Sequence, residues 1–484
     1  MDIRPDFTSR KPKYLSLRDE LRRMILSGDI PSGSRLPASR ELARMLEISR
    51  NTVEEAYRYL EEDGLAEIRP GRGVFAAEGI KQKLDTDAPA MHWHGRVSPQ
   101  IADMVQYRDS VGKVNHGPRD IISFTSLAPD HHLFAADAFR KCLNDIMVNE
   151  GSVLLNYGYV RGYEPLRQYL LQYLEDKGID TKDHELLIVN GFRQGLELIV
   201  RTLVKPGDKV ICEAPTYNGA LGVFLSAGAE IVGIDMDEEG IDVDALERAI
   251  KESNPSLCYV VPTYQNPTGQ NMSMARRRKV LQLVQQYGVP LLEDGFNEEL
   301  RFAGAAHAPI KAMDAGNHVI YAGSFSKILF PGLRVGWVLA PNDIGRYLYH
   351  EKFSEDIHTG LLHQAGLYEF LSRGFFEKHL RYCRKIYKER MNAMSQSLKT
   401  HMGDVATWKE GSGGFCIWLE LAPSIDARKL LDKSPEYGVM YVPGDTFYAD
   451  GRGKNCIRLG FSRLTPEKIE QGIMALAKLI ENEA

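Results

Sequence analysis

Residues 324–337 read SFSKILFPGLRVGW, and this stretch places one lysine among groups that suit a phosphorylated ligand. Lys327 lies beside two hydroxyl side chains, Ser324 and Ser326, and Arg334 follows a Pro-Gly-Leu turn. Hydroxyl groups and a guanidinium are the donors that a phosphate monoester dianion requires. The stretch therefore predicts a phosphate site next to a lysine, although a lysine taken alone is most often a surface charge.

Motifs upstream supply the other groups that such a ligand needs. The segment LLIVNGFRQGLELI has the pattern of strand, glycine and helix, so the backbone N–H groups of Phe192 and Arg193 can bind the same phosphate. Tyr217 offers a flat ring for stacking, Asn266 a side-chain donor, and Asp294 a carboxylate at the end of an apolar run. A buried carboxylate that faces a ring nitrogen keeps that nitrogen protonated. Together these groups indicate pyridoxal 5′-phosphate (PLP) as the cofactor.

The region that contains these motifs has the periodicity of an α/β domain. Its apolar runs, mostly separated by helical stretches, are ELLIVN, KVICEAP, AEIVGI, LCYVVP, VPLLED, HVIYAGS and RVGWVLA. This alternation predicts a mostly parallel sheet covered on both faces, with the ligand at the carboxyl edge of the strands. Beyond about residue 350 helices dominate, and the late strands FCIWLEL, VMYVPG and NCIRLGF predict a smaller subdomain.

Residues 12–77 are predicted to form a separate unit. Apolar residues recur at helical spacing in YLSLRDELRRMILSG, PASRELARMLEI and RNTVEEAYRYLEEDG, and LAEIRPGRGVFAA has the pattern of two short strands about a turn. Three helices followed by a hairpin predict a winged helix-turn-helix. Residues 78–120 are polar and aperiodic, and we expect them to be a linker.

The arginines of this unit indicate binding to double-stranded operator DNA. Basic and acidic residues nearly balance here, but every basic residue between Lys13 and Lys81 is an arginine, whose planar fork suits guanine edges and phosphates. The third helix of such a unit presents its N-terminal end to the major groove. The predicted contacts are Ser39 and Arg40 on the second helix, Arg50 and Thr52 at the start of the third, and Arg69 and Arg72 on the wing. The alternative is a winged helix with solvated arginines that binds another protein.

Both halves resemble known families. SGSRLPASRELARMLEISRNTVEEAYRYLEEDGLAEIRPGRGVF resembles the DNA-binding domain of the GntR family along its full length. This resemblance implies that Arg40, Ser49, Arg50, Thr52 and the wing around Gly71 touch the operator. Over residues 121–484, the motifs NYGYVRGYEPLR, NGFRQGLELI, PTYNGAL, NPTG, EDGFNEE, SFSKILFPGLRVGW and IRLGFS resemble the fold-type-I aminotransferases, with their large and small subdomains. The combination resembles the MocR family of transcription regulators, which implies a PLP-dependent, DNA-binding homodimer.

The aminotransferase resemblance implies a role for each candidate residue. Lys327 would form a Schiff base with PLP, Asp294 would pair with the pyridine nitrogen, Asn266 would contact the 3-oxygen, and Tyr217 would stack on the ring. The remaining implied contacts are Ser324, Ser326 and Arg334 with the phosphate, Tyr157 with the phosphate of a neighbouring subunit, and Arg458 with the carboxylate of an amino-acid-like effector.

Two positions depart from the pattern of these families. They commonly have a tyrosine two residues after the aspartate, where this chain has Phe296, which retains the shape and lacks the hydroxyl. PLP binding should persist, whereas transaminase turnover should be weak or limited to a half-reaction. Some relatives that sense γ-aminobutyrate carry an arginine two residues after the stacking tyrosine, and Gly219 at that position disfavours this effector.

The sequence leaves two functions open. One is a transcription regulator whose aminotransferase-like domain senses PLP, or an amino compound bound as an external aldimine. The other is a working aminotransferase with an appended DNA-binding domain, and Phe296 favours the first. The identity of the effector, the sign of regulation and the operator sequence are not specified by the residues.

The composition indicates a globular protein and argues against cysteine-based metal sites and membrane spans. The 484 residues carry a formal net charge of −5, with 43% hydrophobic and 26% charged residues, which is typical of a globular chain of two or three domains. The six cysteines have no metal-ligand spacing, and several lie in apolar runs, which predicts buried thiols in a reducing compartment. We find no apolar leader and no run that approaches a membrane span, so we expect a cytoplasmic protein.

Overall fold

The structure is a computed structural model that describes residues 3–8, 11–79, 91–110 and 121–483. It divides into two compact units, Met1–Arg96 and Val97–Ala484. The six cysteines are buried free thiols, as the sequence predicts. None of the helices in the described ranges combines the length and the apolar character needed to cross a bilayer.

The first unit contains the predicted three helices and hairpin. Its elements are α1 (Lys13–Ser27), α2 (Ser39–Met45), α3 (Arg50–Glu62), β1 (Ala66–Arg69) and β2 (Gly73–Ala76). Leu17 of α1 and Val53 and Leu60 of α3 are fully buried in the core between the helices. The hydroxyl of Tyr57 donates to the carbonyl of Pro37 at 2.7 Å and so fixes α3 against the segment that leads into α2. Strands β1 and β2 pair antiparallel to form the wing.

The predicted linker is not uniform. Residues 80–90 and 111–120 of the predicted linker lie outside the described residues. Between them, Pro99–Ser110 form helix α4, which packs against the rest of the second unit through Tyr107. The compact second unit thus includes α4, whereas the sequence-based boundary starts the effector domain at residue 121.

The second unit contains the remaining described elements. Its helices are α5 (Ala136–Leu154), α6 (Glu164–Glu175), α7 (Gly191–Leu203), α8 (Asn218–Ser226), α9 (Val243–Ser253), α10 (Met274–Tyr287), α11 (Asn342–Asp356), α12 (Leu361–Ser372), α13 (Phe375–His401), α14 (Ala427–Lys433) and α15 (Pro466–Glu483). Its strands are β3 (Ile122–Ser123), β4 (His184–Val189), β5 (Lys209–Ala214), β6 (Glu230–Asp237), β7 (Gly240–Ile241), β8 (Leu257–Val260), β9 (Leu291–Asp294), β10 (Val319–Ser324), β11 (Gly336–Pro341), β12 (Ala406–Trp408), β13 (Cys416–Leu421), β14 (Val439–Met440), β15 (Val442–Pro443) and β16 (Cys456–Gly460).

The large sheet confirms the predicted α/β architecture. Its eight strands have the order β4-β11-β10-β9-β8-β5-β6-β7. Strands β10, β9, β8, β5 and β6 are parallel, and β11 runs antiparallel to both β10 and β4. Strand β4 therefore points the same way as the parallel strands. The carboxyl ends of β4, β5, β8, β9 and β10 meet at one edge of the sheet, where ligands bind in such folds.

A second sheet belongs to the smaller subdomain. It has the order β12-β13-β16-β15 and is antiparallel throughout. Strand β14 pairs instead with β3, in parallel. A shared hydrophobic core joins this subdomain to the large sheet, with Phe415 and Phe461 on one side and Tyr321 and Trp337 on the other. This packing holds β16 beside the carboxyl edge of the large sheet.

Candidate functional site

The carboxyl edge of the large sheet borders a cavity of about 290 Å³. The lining residues are Leu127, Phe192, Arg193, Tyr217, Asn266, Asp294, Phe296, Ser324, Ser326, Lys327, Arg334 and Arg458. Apart from Tyr157, all residues that the sequence assigns to cofactor or effector line this one cavity. They converge because most of them follow directly after strands whose carboxyl ends share that edge.

Asp294 is the last residue of β9 and is only 2% exposed. Tyr259 on the neighbouring strand β8 donates to its Oδ2 at 2.8 Å, and the backbone N–H of Phe296 donates to its Oδ1 at 3.1 Å. Burial raises the pKa of Asp294 to about 8, because desolvation outweighs the two hydrogen bonds. A protonated ring nitrogen facing this carboxylate would stabilise its charged form.

Lys327 ends a 3-10 turn that directly continues β10. Burial, then the positive charges of Arg458 and Arg463, lower the pKa of Lys327 to about 8, while Asp294 acts in the opposite direction. Among the described residues, none forms a hydrogen bond with its Nζ. An amine with this pKa is partly neutral near neutral pH and can act as a nucleophile.

Two serines and an arginine form a cup on one side of Lys327. Ser324 Oγ donates to Ser326 Oγ at 2.9 Å, and Arg334 Nη1 donates to Ser326 Oγ at 3.4 Å. Arg334 Nη2 also donates to the carbonyl of Asn190 at 3.1 Å. Hydroxyl and guanidinium donors therefore face the same point.

The first turn of α7 completes this cup. Gly191 has a φ of 76°, and a Cβ added there would lie 2.5 Å from Arg334 Nη2, so the position of the guanidinium requires glycine. The N–H groups of Phe192 and Arg193 follow at the start of α7, where backbone donors lack intrahelical partners. The guanidinium of Arg193 is held by Glu197, which accepts from its Nε at 2.8 Å.

Arg458 approaches the cavity from β16 of the small sheet. Its Nη1 donates to Asn266 Oδ1 at 3.1 Å and its Nη2 to the carbonyl of Thr125 at 2.7 Å, and its guanidinium lies 5.0 Å from the centroid of the Phe447 ring. Arg458 Nε is buried and has no hydrogen-bond partner within the described ranges. An unpartnered buried donor is costly, so the site favours an anion.

Tyr217 precedes α8, and its ring forms another wall of the cavity. Burial raises the pKa of its phenol. A Cβ added at Gly219 would overlap the Tyr217 ring. Glycine is therefore needed at position 219 for the ring to stand where it does.

Two residues stand apart from the other assignments. Tyr157 is 81% exposed and does not line the cavity of its own chain; its ring contacts that of His358 edge-on at 6.1 Å. Phe296 lines the cavity, so the position of the missing tyrosine hydroxyl faces the ligand space. The hydrogen bond of Tyr259 to Asp294 was not predicted, and the signal for it is the position of Tyr259 on the strand next to β9.

The donor set fits PLP. The cavity joins a buried carboxylate for a ring nitrogen, an amine with a lowered pKa, a cup of hydroxyl and guanidinium donors for a phosphate, and a flat ring for stacking. The orphaned Nε of Arg458 adds a donor for a further anionic group on a second ligand.

The predicted DNA-binding residues lie on the surface of the first unit. Ser49 caps α3, since its Oγ accepts from the N–H of Thr52 at 3.1 Å. Arg50 follows directly, and its Nε donates to Glu54 Oε1 at 2.6 Å and to Ser39 Oγ at 3.3 Å. The sequence-based assignment missed Glu54, although its spacing from Arg50 is that of an ion pair on one helix face.

The wing holds the other assigned arginines. Arg69 donates to Glu67 Oε2 at 2.7 Å and stacks over the Phe75 ring at 4.7 Å. Gly71 has a φ of 71° in the turn, and the N–H of Arg72 closes that turn on the carbonyl of Arg69 at 2.9 Å. Arg72 and, on α2, Arg40 are exposed.

Two protein families match separate parts of the chain. The family of class I and II aminotransferases matches residues 120–476, and the gntR family of bacterial regulatory proteins matches residues 13–76. The predicted combination of the two is therefore confirmed.

Individual relatives are of two kinds. Aromatic-amino-acid aminotransferase 1 of Thermococcus litoralis is 35% identical over 84% of this chain and 98% of its own length. The uncharacterised HTH-type transcriptional regulator YisV of Bacillus subtilis is 32% identical over 98% of this chain and 97% of its own. The probable rhizopine catabolism regulatory protein MocR of Rhizobium meliloti is 28% identical over 96% and 93%. Among solved structures, a Pyrococcus horikoshii kynurenine aminotransferase superposes with a TM-score of 0.76 and 36% identity, covering 81% of this chain and 98% of that one.

Proposed function

The chain belongs to the class I and II aminotransferase family, in the branch where a GntR-family domain precedes the aminotransferase domain, and from this premise we propose that it is a PLP-dependent transcription regulator. The cavity that contains Lys327, Asp294, Tyr217, Arg334 and Arg458 is the observation that carries this proposal. It lies on the same polypeptide as a winged helix-turn-helix with exposed arginines.

The residues of the cavity divide the work of binding PLP. When bound, PLP supplies an aldehyde that reacts reversibly with primary amines, and an electron-withdrawing ring. Lys327 is the amine of this chain at the cavity, and Asp294 would hold the proton of the ring nitrogen. Ser324 and Arg334 would donate to the phosphate, with Ser326 and the N–H groups of Phe192 and Arg193 beside them.

The signal sensed at the cavity is PLP itself, an amino compound, or both, and an amino compound with a carboxylate suits Arg458. Arg458 faces the cavity with an unpartnered Nε, and its Nη1 is tied to Asn266. A carboxylate bound there would place an α-amino group near Lys327, where the two amines compete. Phe296 lacks a hydroxyl that would assist turnover, so the outcome is binding rather than a full catalytic cycle.

The first unit is the DNA reader, which requires a cytoplasmic location where the chromosome is accessible. Arg50 and Thr52 stand at the exposed N-terminal end of α3, which enters the major groove in such units. Ser39 and Arg40 would contact the phosphate backbone at α2, and Arg69 and Arg72 would reach the backbone or the minor groove from the wing.

We propose that the second unit forms a homodimer and that Tyr157 completes the partner's cavity. Large apolar side chains near Tyr157 are exposed to an extent that is unusual for a monomer, among them Val148 at 85%, Leu155 at 70% and Tyr159 at 78%. Sedimentation should give a dimer. Co-expression of Lys327→Ala and Tyr157→Ala chains should restore one intact cavity per heterodimer, whereas residues acting within one chain would give none.

The regulator is tested by DNA binding to the upstream region of its own gene, with and without PLP and a panel of amino compounds. We expect the affinity to change with PLP, with an amino compound, or with both, and the visible absorbance of the PLP complex to change with the effective amine. An affinity that ignores every ligand contradicts regulation. An absorbance that ignores every primary amine contradicts amine sensing and leaves PLP itself as the signal.

An aminotransferase with an appended reader is the second candidate. The cavity retains Lys327, Asp294 and Arg458 together, which favours residual chemistry. Turnover that continues over many cycles with an amino donor and a keto-acid acceptor would support this candidate. A single half-reaction without cycling supports the regulator.

A further inference from the structure

Helix α4, near the N-terminal end of the second unit, docks through one narrow face. Gln100, Met104 and Tyr107 are its half-buried side chains, and the other described side chains of the helix are exposed. Their spacing of four and three residues places them on one side of the helix. So little buried surface gives weak docking, which modest free energies can shift.

Tyr107 bridges two separate parts of the second unit. Its hydroxyl donates to the carbonyl of Thr446 at 3.1 Å and lies 3.5 Å from the carbonyl of Asn218, so one proton is shared unequally between two acceptors. Burial raises the pKa of the phenol, which keeps this donor protonated.

Both acceptors adjoin residues of the cofactor cavity. Asn218 directly follows Tyr217, the stacking ring. Thr446 directly precedes Phe447, whose ring lies under the guanidinium of Arg458 at 5.0 Å. Tyr107 thus contacts both the wall of the cavity that carries the stacking ring of Tyr217 and the wall, beside Arg458, that is proposed to bind the effector carboxylate.

A second cavity runs beneath α4 and reaches the phosphate side of the site. It has a volume of about 390 Å³, and its lining includes Ile101 and Met104 of α4 together with Arg193 of α7. Arg193 also lines the cofactor cavity. A change in its orientation on ligand binding would therefore alter the surface on which α4 lies.

We propose that Tyr107 is a positioning residue of the cofactor cavity, and that docking of α4 and ligand binding in that cavity are thermodynamically linked. Ligand that orders the Tyr217 and Arg458 walls also orders the two acceptors of Tyr107 and so favours docking. By reciprocity, docked α4 raises the affinity for the ligand by the same factor. The link gives the segment that leads from the DNA reader a direct dependence on the occupant of the cavity. The inference rests on the proposed PLP-dependent regulation.

The test uses the full-length protein with and without PLP. In the wild type, amide hydrogen exchange in α4 should slow by about 5-fold on PLP binding, as expected for one hydrogen-bonded contact. Tyr107→Phe should weaken PLP binding by about 5-fold and lose the PLP dependence of α4 exchange. Tyr382→Phe, on an exposed position of α13, should behave as wild type.

The outcomes separate this inference from the proposed function. Normal PLP uptake by the wild type with unchanged α4 exchange overturns the link and leaves the regulator intact. A Tyr107→Phe protein that binds PLP as tightly as wild type overturns the role of Tyr107. A wild type that takes up no PLP overturns the proposed function and this inference with it. Thermal unfolding of the variant checks that it folds.

Discussion

The two units hold their functional arginines in opposite ways. In the first unit Arg50 and Arg69 pair with Glu54 and Glu67 on the surface, with half and about a third of their side chains exposed. In the second unit Arg458 is 7% exposed and keeps a buried Nε without a described partner. Exposed pairs contribute about 0–1 kcal/mol and exchange readily for phosphate oxygens. The DNA reader is therefore suited to exchangeable, salt-dependent contacts. The cavity is suited to a ligand that gives the buried Nε of Arg458 a hydrogen-bond partner.

The largest expected effect is on PLP binding by the second unit, and it leaves DNA binding by the first unit unchanged. Lys327→Ala removes the reacting amine. We therefore expect the visible absorbance of the PLP complex to be lost and the affinity for PLP to fall by about 100-fold or more. Binding to nonspecific DNA should not change, because the first unit is untouched. Absorbance spectra after dialysis against PLP measure the effect, and Lys378→Ala on α13 is the matched control. A Lys327→Ala protein whose bound PLP becomes covalently attached on borohydride reduction would show that another amine forms the complex.

The pH dependence of PLP uptake tests the burial of the lysine. Because burial, Arg458, Arg463 and Arg334 lower the pKa of Lys327 to about 8 against the opposing charge of Asp294, the neutral amine increases as pH rises through 8. The rate of uptake by PLP-free protein should rise about 50-fold from about pH 6 to pH 8 and then level off. Stopped-flow absorbance measures the rate.

Arg458 is the charged residue that lowers the pKa of Lys327 most, so replacing it tests whether charge sets the pH dependence of PLP uptake. Arg458→Met removes a cation that lowers the pKa of Lys327, so the midpoint should move to higher pH. A midpoint that stays near 8, or moves down, would show that Arg458 does not act on the lysine through its charge.

The reader responds less steeply, since its contacts are several and exposed. Arg50→Ala removes a predicted base or phosphate contact at the start of α3, and operator affinity should fall by about 20-fold. Uptake of PLP should equal that of the wild type. Fluorescence anisotropy with labelled operator at two salt concentrations checks the first expectation and absorbance the second. Equal losses in both activities would mean that the variant is misfolded.

The sequence predicted the two units through different signals. In the first unit, helical periodicity and the order of elements were enough, since α1, α2, α3 and the wing follow one another locally. In the second unit, polar residues at the ends of apolar runs predicted the cavity, because parallel strands bring their carboxyl ends to one edge.

What the sequence could not predict depends on contacts between distant residues. The hydrogen bond of Tyr259 to Asp294 joins neighbouring strands, and the helical docking of Tyr107 lies in a segment that was expected to be a linker. Neither contact has a periodic signal. The Arg50–Glu54 pair did have the spacing of an ion pair, but spacing alone does not show which side chains face DNA.

A close contact in the cavity allows a smaller and sharper test. Gly219→Ala would place a Cβ over the Tyr217 ring, so the ring must move and PLP affinity should fall by about 10-fold. Gly403→Ala, just after α13, is the control, because its added Cβ meets nothing nearer than the Lys399 carbonyl oxygen at 3.5 Å and the residue does not line the cavity. Titration of PLP by fluorescence compares them. Equal affinities in the two variants would mean that Tyr217 does not need its observed position.

The smallest expected effect concerns the surface pair that the reader must open. Glu54→Gln removes the carboxylate that holds Arg50 at 2.6 Å and takes a negative charge from the DNA-facing end of α3, so operator affinity should rise by about 3-fold. Glu62→Gln at the far end of α3 removes the same charge away from Arg50 and should change affinity by less than about 1.5-fold. In an Arg50→Ala background, Glu54→Gln should lose most of its benefit, since the pair no longer exists. Equal gains from both glutamine variants would mean that net charge, rather than release of Arg50, governs the affinity. The contrast between exposed, paired arginines and a buried arginine with an unpartnered Nε would then rest on Arg458 alone.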